Sequence, residues 1–291
     1  MGVSAKREFE ETDYQVTEGV IHVYHKGSSR RNVVLVHGSG CDCAMLSWKE
    51  VIRCFTEEYS VYAIDLFGYG KSSRIDDLCG DDFYDRHIKS IKETVDLIGI
   101  DNFVLAGLSM GGSISIGFAM KYPEKVKLLM PVDSWGLSRK LPFHKLNYWI
   151  MHNTDFTLKQ YKLTAKYRWM AKCAISYSLI GDKSKITDEI VDEVMFACGE
   201  NGSGKSMQDF QRSSCLKHRT VPFYNQKLAE LEMPVWFVNG EKDALVPLKD
   251  AENASGIVKD GKLFVLKGCK HWAPKEKPEE FVNIINKFFN N

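Results

Sequence analysis

Two kinds of hydrophobic pattern follow each other along most of this chain. Short apolar runs predict buried strands, and longer segments with apolar residues at helical spacing predict helices. The predicted strands are 19–25, which alternates like a half-exposed strand, and the buried runs 32–36, 59–66, 103–108, 126–132, 235–238 and 262–266. The predicted helices are 44–55, 82–98, 113–122, 248–258 and 278–289. Such alternation favours an α/β fold with a mostly parallel sheet and helices on both faces.

The alternation stops after Ser134. From Trp135 to about Arg219 the periodicity is helical and no convincing strand is found. We therefore predict one core formed by residues 1–134 and 225–291, with a helical cap inserted at 135–224. Residues 1–18 are polar, and we expect a loosely attached start.

One stretch combines a strand with a reactive side chain. The apolar run 103–108 leads into Gly107-Leu108-Ser109-Met110-Gly111, and a helical segment follows. Strand, tight turn and helix are the context in which Gly-x-Ser-x-Gly forms a nucleophile turn. Glycines fit two residues before and after the serine because they have no Cβ. The pattern predicts an exposed Ser109 hydroxyl and a Met110 amide that can stabilise a developing negative charge.

A serine becomes nucleophilic when a base takes its proton and a carboxylate orients that base. Asp243 follows the strand at 235–238, and His271 follows the strand at 262–266. Both therefore lie at the carboxyl edge of a parallel sheet, where such folds build their sites. Asp133, after the strand at 126–132, is an alternative carboxylate. We favour Asp243 because its Gly-x-x-Asp-x-x-x-Pro loop follows the next-to-last strand, and the order serine, aspartate, histidine is that of the α/β-hydrolase fold.

These pieces together resemble the capped α/β-hydrolases. The matching segments are His37-Gly38-Ser39-Gly40, Asp65–Ser72, Gly107–Gly112, Gly240–Pro247 and His271-Trp272. The resemblance covers both core segments and says little about the cap. It implies that the Ser39 and Met110 amides form the oxyanion hole, that Gly38 and Trp272 contact substrate, and that His37 orders its loop. It implies no metal and no organic cofactor.

The main functional hypothesis is a serine hydrolase that cleaves a small carboxylic ester, lactone or thioester through an acyl-enzyme on Ser109. A second hypothesis is carbon–carbon bond hydrolysis, as in the meta-cleavage-product hydrolases. Two features count against it, since those enzymes commonly have Asn where this chain has Leu108, and a cap arginine where it has Glu193 or Val194. A third hypothesis is a small-molecule receptor on the hydrolase scaffold that does not turn over its ligand.

The composition of the chain limits the kinds of partner that it is expected to bind. The chain has 291 residues with a net charge of +1, so its overall charge does not indicate binding to nucleic acid. No apolar run is long enough for stable membrane insertion. We expect a small-molecule substrate and a monomer or dimer. The basic run of the predicted cap is expected to be a solvated face, with anionic substrates or membrane surfaces as an alternative.

The eight cysteines have no Cys-x-x-Cys pair, and Met1–Glu8 lacks the apolar core of a signal peptide. We therefore expect reduced thiols and a cytoplasmic protein. The segment Cys41-Asp42-Cys43 is not interpreted as a metal site, because no second ligand pair has a suitable spacing.

One motif conflicts with this interpretation. Gly199–Ser206 matches Gly-x-x-x-x-Gly-Lys-Ser, the phosphate-binding loop of nucleotide-binding proteins. That motif requires a preceding buried strand, but residues 187–198 have the pattern of a helix. We therefore expect a flexible turn between cap helices.

Overall fold

The structure is a computed structural model that describes residues 8–290. Its centre is a sheet of eight strands in the order β1-β2-β4-β3-β5-β6-β7-β8. The strands are β1 (Glu10–Val16), β2 (Gly19–Lys26), β3 (Arg31–Val36), β4 (Tyr59–Ile64), β5 (Phe103–Leu108), β6 (Val126–Val132), β7 (Val235–Gly240) and β8 (Gly261–Leu266). The pairs β1–β2 and β2–β4 are antiparallel, and every other neighbouring pair is parallel. The predicted mostly parallel sheet is thus confirmed.

The first strand corrects one expectation. Residues 10–16 were expected to be loose, but they pair antiparallel with β2 from Glu10 opposite His25 to Val16 opposite Gly19. Most of β1 is exposed, so its sequence lacks the apolar signal that marks a buried strand. Residues 1–7 lie outside the described residues.

The described residues also form helices on both faces of the sheet. They are α1 (Ala44–Cys54), α2 (Phe83–Ile98), α3 (Met110–Lys121), α4 (His144–Asn153), α5 (Phe156–Lys166), α6 (Arg168–Ala174), α7 (Asp188–Gly199), α8 (Ser203–Ser214), α9 (Leu248–Ser255), α10 (Ala273–Glu276) and α11 (Pro278–Phe289). Helix α3 begins three residues before the predicted start, directly after Ser109. None of the described helices combines the length and the apolar character that crossing a bilayer requires.

Alternate residues of each strand pack on opposite faces of the sheet. On β3, Val34 and Val36 join the cluster under α2 and α3, whereas Val33 and Leu35 join the cluster under α1 and α11. The continuous apolar runs therefore reflect a sheet that is covered on both sides.

Five helices, α4 to α8, lie between β6 and β7. We call residues 135–224 the cap segment. A short π-helical turn, Ile175–Leu179, follows α6. Within this segment the described backbone contains helices, turns and one isolated bridge between Cys215 and Thr220.

Candidate active site

Ser109 occupies a strained turn between β5 and α3. Its φ of 54° and ψ of −116° lie in a region that L-residues rarely adopt. A Cβ on Gly107 would meet the Gly111 carbonyl oxygen at 2.2 Å, and one on Gly111 would meet the His37 carbonyl oxygen at 2.3 Å. Both glycines are therefore required by the close backbone approach that the sequence predicted. The Met110 N–H is the first of α3, where a helix amide has no partner within the helix.

The loop after β3 approaches Ser109 closely. A Cβ on Gly38 would lie 3.3 Å from the Cβ of Ser109. Gly38 is held through both of its polar backbone groups. Its carbonyl oxygen lies 2.7 Å from Nδ1 of His37, and its N–H donates to Oδ2 of Asp42 at 2.9 Å. Ser39, the next residue, lines the same cavity as Ser109.

His37 is neutral in this arrangement. Its Nε2 accepts the Leu66 N–H at 3.0 Å, so the ring proton must be on Nδ1, which donates to Gly38. Complete burial lowers the pKa of His37 to about 4. A neutral, fully hydrogen-bonded imidazole agrees with a loop-ordering residue and is unsuited to act as the base.

Asp42 is a residue that sequence reasoning missed. Its carboxylate accepts the Gly38 N–H, the Cys43 N–H at 2.8 Å and the Ser47 hydroxyl at 2.7 and 2.8 Å. Burial raises the pKa of Asp42 to about 6, even though these hydrogen bonds favour the charged form. The sequence did contain a local indication of this role. Asp42 lies two residues before the start of α1 and five residues before Ser47, whose hydroxyl it accepts.

The structure brings His271 and Asp243 together. Nδ1 of His271 lies 2.7 Å from Oδ2 of Asp243. The other oxygen of Asp243 accepts the N–H groups of Leu245 at 2.7 Å and Val246 at 3.1 Å, which fixes the carboxylate in its loop. Both side chains are buried, with less than a tenth of each exposed.

Asp133, the alternative carboxylate, has a different environment. It is fully buried after β6 and accepts the Gly240 N–H at 2.7 Å. Burial first, and the neighbouring Asp243 second, raise its pKa well above the usual range. The charged form of Asp133 is therefore disfavoured, and Asp243 is the carboxylate that contacts His271.

Ser109 and His271 line one cavity of about 380 Å³. Among the described residues no hydrogen bond joins the Ser109 hydroxyl to the imidazole, and catalytic hydrogen bonds are often long before substrate binds. The lining is mainly apolar, with contributions from Gly38, Leu108, Trp135, Val194, Phe210 and Trp272. Its polar side chains include Thr157, Gln160, Tyr161, Ser178 and Gln211.

The cavity has no lysine or arginine among the described residues that line it. Of the two positions aligned with the family's cap arginine, Val194 lines the cavity and Glu193 is hydrogen-bonded to Lys49 outside it. An anionic group would thus enter this cavity without a cationic partner.

The cap segment is attached to the His271 segment through its backbone. The N–H of His271 donates to the Ser178 carbonyl at 3.3 Å, and that of Trp272 donates to the Leu179 carbonyl at 2.9 Å. Trp272 itself is buried and lines the cavity. No side-chain pattern marks a backbone acceptor, so sequence reasoning had no signal for this contact.

The expectation of eight reduced thiols is wrong for one pair. Cys41, in the loop after Gly40, forms a disulfide with Cys198 of α7, and their Cα atoms are 5.1 Å apart. The other six cysteines are free. The two partners are 157 residues apart in sequence, so no local spacing predicted the pairing. The cytoplasmic location, which depended partly on reduced thiols, stays a prediction.

The phosphate-loop match has no phosphate-loop context. Helix α7 precedes it, and Gly202, with a φ of 85°, caps the start of α8 within the motif. Lys205 pairs with Asp209 one turn later, and the Ser206 hydroxyl donates to the Gly68 carbonyl at 2.8 Å. Residues 200–202 form a turn between two helices, as expected, and the rest of the motif from Ser203 is the first turn of α8.

Known proteins with similar sequences and folds agree with this geometry. The family model described as alpha/beta hydrolase fold matches residues 31–171. A 2-hydroxy-6-oxononadienedioate/2-hydroxy-6-oxononatrienedioate hydrolase of Paraburkholderia phymatum is 26% identical over 281 residues, covering 94% of this chain and 91% of the relative.

Among solved structures, the 2-hydroxy-6-oxo-6-phenylhexa-2,4-dienoate hydrolase of a Rhodococcus species superposes with a TM-score of 0.81 at 21% identity, covering 98% of this chain and 99% of the other. A thermophilic esterase of Thermogutta terrifontis superposes with a TM-score of 0.74 at 19% identity, covering 97% and 98%. The chain therefore has the α/β-hydrolase fold.

Proposed function

We propose that this α/β-hydrolase is a serine hydrolase that cleaves an uncharged carboxylic ester through an acyl-enzyme on Ser109. The observation that carries the choice of substrate is the cavity beside Ser109, which is mainly apolar and has no lysine or arginine among its described lining residues. An isolated carboxylate is costly to bury without a charged partner, whereas an ester carbonyl is not.

The proposed mechanism assigns one role to each group. Ser109 attacks the carbonyl carbon while His271 takes its proton and later returns it to the leaving alcohol. Asp243 holds the imidazole through the 2.7 Å contact with Nδ1, which leaves Nε2 to act as the base. The Ser39 and Met110 amides bind the oxyanion, and water then releases the acyl group.

The cap segment is proposed to act as a lid over this reaction. It contributes Thr157, Gln160 and Tyr161 of α5 to the cavity wall, so it sets the shape that an acyl or alcohol group must fit. In this proposal, residues 1–134 and 225–291 perform the chemistry and residues 135–224 select the substrate.

A second candidate is hydrolysis of a carbon–carbon bond next to a ketone. Its support comes from the comparisons, which favour it over ester hydrolysis, because a curated relative across almost the whole chain and a similar structure carry names of dienoate hydrolases. The same serine, base and oxyanion hole serve both reactions. The cavity lining is the reason for placing ester hydrolysis first.

The test has two steps. A fluorophosphonate probe is expected to label the wild type and not Ser109→Ala, whose turnover should be lower by roughly three orders of magnitude or more. Ser255→Ala, on a surface helix, is the matched control and should keep its labelling. Equal labelling of Ser109→Ala and wild type would remove the proposed nucleophile.

The second step separates the candidate reactions. Uncharged esters of graded acyl length are compared with a 2-hydroxy-6-oxo-dienoate substrate under the same conditions. Multiple turnover of the esters with little turnover of the dienoate supports the first candidate, and the reverse result replaces it with the second. Stoichiometric labelling without turnover of either class would indicate a receptor.

A further inference from the structure

The exposed large hydrophobic side chains are concentrated in the cap segment. Twelve such side chains are exposed among the described residues, and nine of them lie between 143 and 196. The most exposed is Phe143, at 84%, and two tryptophans, Trp149 and Trp169, are 56% and 64% exposed. Isolated exposed apolar residues are ordinary, but seven of these nine lie on or next to α4, α5 and α6, which contact one another in sequence order, and grouped exposed apolar residues mark an interaction surface.

Helix α5 shows how these residues are arranged. Its buried residues, Thr157, Tyr161 and Thr164, form one stripe that faces the cavity. The opposite stripe is exposed and alternates aromatic or aliphatic with basic side chains: Phe156, Lys159, Leu163 and Lys166. The neighbouring α4 is similar, with Lys145, Leu146 and Trp149 exposed and only His144 buried.

The same stretch is strongly basic. Residues 135–179 contain eight lysine or arginine residues and one aspartate, a formal charge of +7, although the whole chain is only +1. Arg168 and Lys172 pair with Asp188 of α7. Lys140, Lys145, Lys159 and Lys162 are exposed and form no ion pair within residues 8–290. The uncompensated positive charge therefore coincides with the exposed aromatic side chains.

We propose that the exposed residues of α4, α5 and α6, which we call the aromatic–basic face, dock on the surface of an anionic lipid bilayer. Tryptophan and phenylalanine side chains enter the boundary between head groups and acyl chains, while lysines keep their charge in the head-group layer. Each lysine near an anionic leaflet adds to the attraction. The docking is peripheral and requires no helix to cross the bilayer.

Docking in this orientation places the cavity next to the lipid. Gln160 of α5 is exposed and also lines the cavity, so the cavity opens beside the aromatic–basic face. The charge of this face also decides among partners. A second copy of the chain would bring together two faces that each carry exposed lysines without an ion-pair partner among residues 8–290, and their mutual repulsion opposes such a dimer.

The charge is tested by vesicle flotation of the full chain with phosphatidylcholine alone and with added phosphatidylserine. We expect binding to the anionic vesicles, weakened when the salt concentration rises from about 0.1 to about 0.5 M. The triple variant Lys145→Glu, Lys159→Glu, Lys162→Glu should bind at least about tenfold more weakly. Its control, Lys227→Glu, Lys249→Glu, Lys259→Glu, reverses three exposed lysines of the chain outside the face and should bind like the wild type.

The contribution of the exposed apolar side chains to vesicle binding is tested with the double variant Trp149→Ala, Trp169→Ala. The control is Leu97→Ala, which changes a leucine of α2 that is 56% exposed. Only the tryptophan variant should lose vesicle binding, and its hydrolysis of a water-soluble ester should stay unchanged because neither tryptophan lines the cavity. Absence of wild-type binding to anionic vesicles would overturn the proposal. So would equal losses in the face and control variants, or self-association through the tryptophans without vesicle binding.

Discussion

The carboxyl edge of the sheet and the cap segment are built in opposite ways. At the sheet edge, residues of the proposed active site are held by buried neighbours, as Gly38 is by His37 and Asp42, and as His271 is by Asp243. In the cap, α4 buries only His144 and exposes Leu146 and Trp149. The comparison teaches that a reaction requires atoms held within tenths of an ångström, whereas a lid needs only a few attachment points.

The largest effect is expected from the carboxylate that holds His271. Asp243→Asn should lower turnover by roughly 10³–10⁴-fold, because an amide in this position favours the wrong tautomer of the imidazole. Asp133→Asn is the matched control. Because burial and the neighbouring Asp243 both disfavour a negative charge on Asp133, an uncharged amide of similar shape should keep turnover near that of the wild type. Similar losses in both variants would show that the two carboxyl groups share the role.

An effect of intermediate size is expected from the disulfide that joins the two regions. Replacing Cys41 and Cys198 by serine should lower the free energy of unfolding by about 2–4 kcal/mol, because the bond constrains a long stretch of unfolded chain. Thermal and denaturant unfolding measure this change. Cys173→Ser, at an exposed free cysteine, is the control and should leave stability unchanged. If the cap is attached mainly by other contacts, the double variant will match that control.

A smaller effect is expected from Asp42, which holds the loop of Ser39. Asp42→Asn keeps one acceptor oxygen and loses the other, so either Gly38 or Cys43 is left without its partner. Leaving a buried donor unsatisfied costs about 1–3 kcal/mol. If the donor that loses its partner is the Gly38 N–H, in the loop of Ser39, we expect a roughly tenfold loss of turnover. Rates measured with one soluble ester test this, with exposed Asp101→Asn as the control.

The raised pKa of Asp42 predicts the direction in which stability and turnover change with pH. Burial raises the pKa of Asp42 from 3.8 to about 6, so between these values the folded state binds more protons than the unfolded state. Its contribution to stability therefore decreases as the pH rises through this window, while the charged form that holds Gly38 becomes populated. Turnover of the wild type should rise as the pH passes about 6, and Asp42→Asn should lack that part of the rise. Superimposable pH profiles would contradict the role.

The smallest effect is expected at the phosphate-loop match in the cap. Lys205→Ala removes an ion pair whose lysine is 55% exposed and whose Asp209 side chain is 8% exposed, so we expect a loss of about 1 kcal/mol, the upper end for exposed pairs. Stability and ester turnover should change little, and neither the wild type nor the variant should bind ATP in calorimetry. ATP binding that disappears in Lys205→Ala would overturn our interpretation of this segment.

The sequence by itself determined the sheet, the tight turn at Ser109 and the order Ser109, Asp243, His271, because local patterns of residues specify these features. A strand buried on both faces must be continuously apolar. A turn in which another backbone segment leaves no room for a Cβ must have glycines. The largely exposed β1 was missed for the same reason, since its pairing depends on backbone groups rather than on apolar side chains.

Only the tertiary structure decided which carboxylate contacts His271, that Cys41 meets Cys198, and that no lysine or arginine is among the described residues lining the cavity. Each of these facts is a distance between residues that are far apart along the chain. Hydrophobic periodicity indicates which side of a helix or strand is buried. It does not indicate which distant residue packs against that side. The cap depends most on such contacts, so it was the part least open to prediction.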